Sequence, residues 1–171
     1  RLITAGADAL HVSVGVYSTP GNLTIASMDT EAGFNLFRAR AVKERVPVPV
    51  IAVGRVNDPE LAAKAIAAGD ADLVAFGRQH LADPDFLRKA REGRRDEIRW
   101  CVSCNQGCIE RLMYEMKPTT CTFNPECGNE YRGAAASVEP GRRLWVIGAG
   151  PAGLTAALAA AERGFRVEVF E

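Results

Sequence analysis

Short apolar runs alternate with amphipathic stretches along most of the chain, with glycine, proline or aspartate at the joints. Ala9 to Val14 is β-branched and apolar, and predicts a buried parallel strand entered through a turn at Gly6 and Asp8. The segment Gly15 to Met28 is rich in Ser, Thr, Gly and Pro and reads as a long loop at the carboxyl end of that strand. From Thr30 to Arg45 the period becomes helical, with Phe34, Phe37, Ala41 and Val42 on one stripe, until Pro47 and Pro49 end it. Val50 to Val53 predicts a second buried strand, ending in Gly54-Arg55. Asp58 is placed to cap the next helix, with Pro59 at its first position and Gly69 as its stop. Leu73 to Phe76 predicts a third strand, ending in Gly77-Arg78, and Asp83-Pro84 opens a further helix through Ala90.

Strands this apolar imply a parallel sheet covered on both faces, the α/β class. A second unit of that class closes the sequence. Leu144 to Ile147 predicts a strand, an alanine-rich helix follows to about Arg163, Gly164 stops it, and Arg166 to Phe170 predicts another strand. Between the two lies Gly133 to Gly141, small, polar and proline-containing, which reads as a linker.

Composition narrows the class without naming a chemistry. The 171 residues are 47% hydrophobic and 25% charged, with 21 basic and 21 acidic side chains. That balance leaves no basic footprint for nucleic acid, and no apolar run approaches the ~20 residues of a membrane helix. The charges from Lys89 to Arg99 read as a solvated helix end. There is no initiator Met and no signal peptide, so a cytoplasmic location is expected; oligomeric state is not legible. Arg1 to Gly6 reads as the tail of a helix, and Glu171 follows directly on a strand, so a piece of a longer protein is expected.

Three motifs carry chemistry. Cys101, Cys104, Cys108 and Cys121 are spaced C-x2-C-x3-C-x12-C, three thiols on one tight loop and a fourth returned from a distance. The three-plus-one grouping favours a [4Fe–4S] cluster over zinc, which more often takes two separated C-x2-C pairs, and over disulfides, for which an intracellular protein has little use. Cys127 falls outside the spacing and reads as a thiol apart from the ligand set. The second motif is the pair Gly54-Arg55 and Gly77-Arg78, each at a strand end. Glycine lets backbone amides approach a ligand and arginine offers planar, bidentate donors to phosphate, although a helix-entry turn with a solvated Arg is the plainer alternative.

The third motif is G-x-G-x-x-G at Gly148, Gly150 and Gly153, with a strand before it, a helix after it and Glu171 where an acid bonds a ribose hydroxyl. This context predicts a dinucleotide site. Of the two histidines, His11 lies in an apolar run and reads as a core or barrel-interior residue, and His80 as structural or surface.

Taken in order, Ala-Asp-Leu-Val-Ala-Phe-Gly-Arg-Gln-His-Leu-Ala-Asp-Pro from Ala71, then C-x2-C-N-x2-C, then Cys121 followed by Asn124-Pro125, then Val-Ile-Gly-Ala-Gly-Pro-Ala-Gly, resemble the iron–sulfur branch of the Old Yellow Enzyme-like NADH:flavin oxidoreductases. That branch includes 2,4-dienoyl-CoA reductase, 2-enoate reductase and trimethylamine dehydrogenase. The resemblance covers nearly the whole chain. It implies the C-terminal part of a (β/α)8 TIM barrel over residues 1–95 (strands 6 to 8), a cluster-binding segment over 96–132, the linker over 133–141 and the first β-α-β of a Rossmann-like FAD-binding domain over 142–171.

It further implies FMN with its phosphate on Gly54, Arg55, Gly77 and Arg78, a [4Fe–4S] cluster on Cys101, Cys104, Cys108 and Cys121, and FAD at Gly148, Gly150, Gly153 and Glu171. NAD(P)H would supply electrons through FAD and the cluster to FMN, and on to a small substrate with an activated C=C bond. The alternatives are amine oxidation, with ADP in place of FAD, and a non-catalytic zinc-binding scaffold. The strands that carry the family's proton donor are absent, so no catalytic residue is named; Tyr17 and Ser18, after the first strand, are guesses for the substrate side.

Overall fold

A computed structural model describes residues 1–16, 23–133, 136–139 and 141–171. Tyr17 and Ser18, with the loop through residue 22, lie outside the described residues, as do positions 134, 135 and 140 of the linker. The chain divides into two compact units, Arg1–Gly128 and Asn129–Glu171, so the cysteine segment belongs to the first.

The first unit is built on three parallel strands in sequential order, β1 (Leu10–Val12), β2 (Val50–Ala52) and β3 (Leu73–Val74). Leu10 pairs with Val50 and Val12 with Ala52, while Ile51 pairs with Leu73. Helix α1 (Leu36–Lys43) connects β1 to β2, and α2 (Pro59–Ala67) connects β2 to β3. The core under this sheet is small: Val50 and Ala52 of β2, Ala39 of α1 and Ala71 are fully buried, flanked by Val12, Leu36, Val42 and Val46. Three of the four are alanines, which lets the helix backbone lie close to the sheet.

Two side-chain readings are corrected here. The buried face of the first helix carries Asn35 and Ala39, whereas Phe37 and Ala41 are exposed. The helix begins only at Leu36, after turns over the residues before it, so the stripe counted from Thr30 is out of phase. His11 is exposed as well, so it is not a core residue of this three-stranded sheet. Successive strand residues face opposite sides; Val12 packs on the core with α1, and His11 points the other way.

Helix α2 forms as the sequence predicts: the Asp58 carboxylate accepts the Glu60 N–H at 2.9 Å, Pro59 takes the first position, and Gly69 follows the C-cap at φ +79°. After β3 the sequence reading missed a helix. The chain enters α3 (Arg78–Ala82) directly from Gly77, and α4 (Phe86–Arg91) follows the Asp83-Pro84 corner. Phe86 is fully buried, its ring edge-on to Phe76 at 5.0 Å and His80 at 4.7 Å.

Helix α5 (Arg111–Met113) lies in the cysteine segment, and the second unit is a parallel β-α-β: β4 (Arg143–Ile147), helix α6 (Pro151–Glu162) and β5 (Arg166–Phe170). The register runs from Arg143–Arg166 to Ile147–Phe170. Ala157 and Ala160 are the helix residues buried in this unit, and Gly164 turns the chain at φ +97°. No helix among the described residues is long and apolar enough to cross a membrane.

Candidate functional site

The two Gly-Arg pairs meet at one place. Gly54, Arg55, Gly77 and Arg78 line a single cavity of about 160 Å³ at the carboxyl ends of β1 to β3, together with Ser13, Thr24 and Ile25. Gly54 is required by close approach: it sits at φ +142°, and a Cβ there would lie 2.6 Å from Asn35 Cβ. Gly77 differs, with φ −104° and open space where its Cβ would stand.

Arg55 is left-handed at φ 50° and its Nη1 donates to the Thr30 carbonyl. Its Nε and the Thr24 hydroxyl are both buried, and neither meets a hydrogen-bond partner among the described residues. Two orphan polar groups at one cavity leave hydrogen-bonding capacity that a bound anion would satisfy.

Asn35, unrecognised in the sequence, fixes the strand ends beneath this cavity. It is 1% exposed, and its Nδ2 donates to the carbonyls of Val12 at 3.0 Å and Val53 at 2.8 Å. One amide thus satisfies the last carbonyl of β1 and the first carbonyl beyond β2, where the ladder stops.

The four cysteines surround a second, smaller cavity with Leu81, Val102, Asn105, Gly107, Thr122 and Phe123. Cys108 is buried, the other three are partly so, and no cysteine among the described residues forms a disulfide. No group of three or more His, Cys, Asp or Glu side chains that could hold a metal ion is found among the described residues. The donor set around this cavity is nonetheless all thiol, with neither carboxylate nor imidazole in its lining, which is the ligand chemistry of iron–sulfur or zinc rather than of hard cations.

Backbone geometry brings these thiols round. Ser103 and Asn105, on either side of Cys104, both adopt positive φ, 61° and 64°, which redirects the backbone between Cys101 and Cys108. Residues Gln106–Glu110 form a single π-helical turn that runs into α5 (Arg111–Met113). The Thr120 N–H and hydroxyl then donate to the Gly107 carbonyl at 2.7 and 2.9 Å, returning Cys121 to the others. A Cβ at Gly107 would stand 3.1–3.2 Å from atoms of Thr120 and Thr122, so the small residue permits this return.

Side-chain amides clamp the loop to the sheet. Gln79, fully buried, donates to the Arg99 carbonyl at 3.0 Å and accepts the Cys101 N–H at 2.9 Å. Asn57 donates to the Cys101 carbonyl at 2.8 Å and to Ser103 Oγ at 3.1 Å. Asn124 donates to the Leu81 carbonyl at 2.9 Å and accepts the Glu126 N–H at 3.1 Å. Asp83 is a fourth clamp: its carboxylate takes Lys89 Nζ at 2.6 Å and the Arg99 N–H at 3.0 Å. These residues were missed as functional, although each lies inside or beside a motif that the sequence displays: Asn57 after Gly54-Arg55, Gln79 after Gly77-Arg78, Asn124 in the Asn-Pro after Cys121.

Arg78 belongs to both cavities. Its Nη1 donates to Asn105 Oδ1, and Asn105 Nδ2 donates to the Ile25 carbonyl at 3.1 Å. Burial pushes the Cys108 thiol above the usual cysteine range, while the Ile109 N–H and the Arg78 charge act in the opposite direction.

In the second unit Gly148 and Gly150 form the turn between β4 and α6, and Gly153 lies in the first turn of α6. Gly148 has φ +100°, and a Cβ on Gly153 would collide with the Gly148 carbonyl, so the third glycine exists for close helix–strand packing. The Glu171 carboxylate accepts the Ala149 N–H, which places the acid against the glycine turn.

The chain is 42% identical over 170 residues to a protein named NADH oxidase from Thermoanaerobacter brockii, covering 98% of this chain and 26% of that one. It is 39% identical over 137 residues to dimethylamine dehydrogenase of a Hyphomicrobium species, 77% of this chain and 18% of the relative. The solved structure of a 2-naphthoyl-CoA reductase in complex with 2-naphthoyl-CoA superposes with a TM-score of 0.82 at 32% identity, over 94% of this chain and 24% of that one. The chain therefore spans about a quarter or less of the length of these proteins. Residues 146–171 match an NAD(P)-binding Rossmann-like domain. Residues 7–97, more than half of the chain, match the NADH:flavin oxidoreductase / NADH oxidase family, to which this protein belongs.

Proposed function

We propose that this chain is the junction of a flavin oxidoreductase in which electrons from NAD(P)H pass through FAD and a [4Fe–4S] cluster to FMN and on to an activated C=C bond of an enoate or dienoyl-CoA type substrate. The observation that carries the reading is Arg78, which lines the Gly-Arg cavity and the cysteine cavity at once. The sequential parallel strands and the cavity at their carboxyl ends are what strands 6 to 8 of a (β/α)8 barrel would supply, with the phosphate site in its usual position.

The groups would be held as follows. Arg55 and Arg78 would donate to the FMN phosphate, with the orphan Thr24 hydroxyl beside them. Cys101, Cys104, Cys108 and Cys121 would carry the cluster, and the 148–153 turn with Glu171 would receive the FAD dinucleotide at a helix N-terminus. When bound, such groups supply two-electron flavin chemistry at each end and a one-electron relay between them. The chain's own residues do the positioning. Gln79 and Asn57 hold Cys101 by its N–H and its carbonyl, and Asn35 holds the strand ends under the phosphate cavity. On this reading residues 1–95 are barrel, 96–132 cluster segment, 133–141 linker and 142–171 the start of the dinucleotide domain.

Amine oxidation is the second reading, favoured by the likeness to dimethylamine dehydrogenase. Anaerobic full-length protein distinguishes them. Stoichiometric FMN, FAD, iron and sulfide, with NADH bleaching both flavins and an added cinnamate-type enoate restoring their colour, is the expected result. Flavin reduction by dimethylamine but not by NADH would transfer the assignment to amine oxidation. Zinc in place of iron, with no flavin, would sink both.

A further inference from the structure

The residue after Cys104 links the two cavities more directly than any cysteine does. Asn105 receives the Arg78 guanidinium on its Oδ1 and gives its Nδ2 to the Ile25 carbonyl at 3.1 Å. Arg78 and Ile25 both line the Gly-Arg cavity, so one amide joins two parts of that wall. The same residue governs the cysteine loop: its φ of 64° redirects the chain after Cys104, and its carbonyl accepts the Glu110 N–H at 2.9 Å to close the turn that bears Cys108.

We propose that Asn105 is a positioning residue that couples the anion cradle to the cysteine loop, so that FMN phosphate on Arg78 and a cluster on the four thiols each strengthen binding of the other. This rests on the flavin and cluster assignments made above. The physical ground is that Asn105 can hold Arg78 and Ile25 in register only while its own backbone is held, and ligation of Cys104 and Cys108 on either side holds it. Coupling of this kind is reciprocal, since both ligands draw on the same ordered segment.

The test uses full-length holoenzyme. FMN dissociation is measured by flavin fluorescence with the cluster intact and after its removal by oxidation and chelation, and the reduced cluster's electron paramagnetic resonance spectrum is recorded with and without FMN. Wild type should lose FMN affinity by about tenfold when the cluster is removed, within the usual range of coupling between sites. Asn105→Gly keeps the left-handed backbone free of strain and removes only the amide; there the factor should fall to about one, and the spectrum should cease to respond to FMN. Asn105→Asp, which retains the acceptor for Arg78, should recover a substantial part of the coupling. Equal factors in wild type and Asn105→Gly would overturn the proposal, as would no coupling in a wild type that holds both groups. A wild type that holds no iron or no FMN would instead overturn the assignments beneath it, and this inference with them.

Discussion

Asn35 leaves no room for a side chain at Gly54: a Cβ there would stand 2.6 Å from Asn35 Cβ and 3.2 Å from the Phe34 ring. Since Asn35 also bonds the carbonyls of Val12, at the end of β1, and of Val53, just past β2, it cannot retreat without orphaning them. Gly54→Ala is therefore expected to lose FMN and to lower the unfolding midpoint. Asn35→Ala should cost about 1–3 kcal/mol of stability through its unsatisfied carbonyls. Urea unfolding of the full-length variants checks both; a Gly54→Ala protein with wild-type flavin and midpoint would disprove the steric argument.

Arg78→Ala should weaken FMN binding by about ten- to a hundredfold, the loss of one charge-assisted contact of roughly 1.5–3 kcal/mol. FAD content should not change, because the residues proposed to hold it lie in the second unit. Flavin released from the purified variant, resolved by chromatography, gives the ratio; equal loss of both flavins would indicate unfolding instead.

Cys104→Ser and Cys121→Ser should each abolish cluster binding, since a hydroxyl is a poor substitute for thiolate on iron. About four iron and four sulfide per chain are expected in the wild type prepared without oxygen. Cys127 is buried but does not line the cysteine cavity, so Cys127→Ser should retain its iron. Loss of iron in Cys127→Ser with retention in Cys121→Ser would reassign the fourth ligand.

Gly153→Ala should reduce FAD occupancy while leaving FMN in place, because the added methyl would push α6 off the Gly148 carbonyl and open the turn. Separate quantification of the two flavins decides it; unchanged FAD would mean that the turn can yield without losing its ligand.

Asp83 sets an acid limit on the cysteine segment. It is 3% exposed, and although burial by itself would raise its pKa, the Lys89 ammonium and then the Arg99 and Asp85 N–H groups bring it below the ordinary carboxylate value. A depressed carboxylate contributes stability that is present above the unfolded value, about 3.9, and is lost as pH falls through the lower folded value. Asp83→Asn should therefore be destabilised at neutral pH, with the gap from wild type closing below about pH 4. Chemical denaturation across that range measures it, and a gap independent of pH would assign the loss to packing.

The linear order of residues determined the strand and helix alternation here, because apolar period and local caps act over a few neighbours. Asp58 with Pro59 starts its helix whatever lies beyond, and G-x-G-x-x-G needs only the strand and helix beside it. Tertiary structure alone decided which faces are buried and which side chains serve the cavities. Phe37, and His11 as a core residue, were misjudged because burial depends on where a helix starts and which side of a strand is covered. Gln79, Asn57, Asn105 and Asn124 have no period that marks them, since an amide becomes a clamp only when a distant carbonyl or N–H arrives opposite it. Arg78 was legible as a phosphate donor from its neighbouring glycine. That it also faces the cysteines, 27 positions away at Asn105, became visible only once the chain had closed on itself.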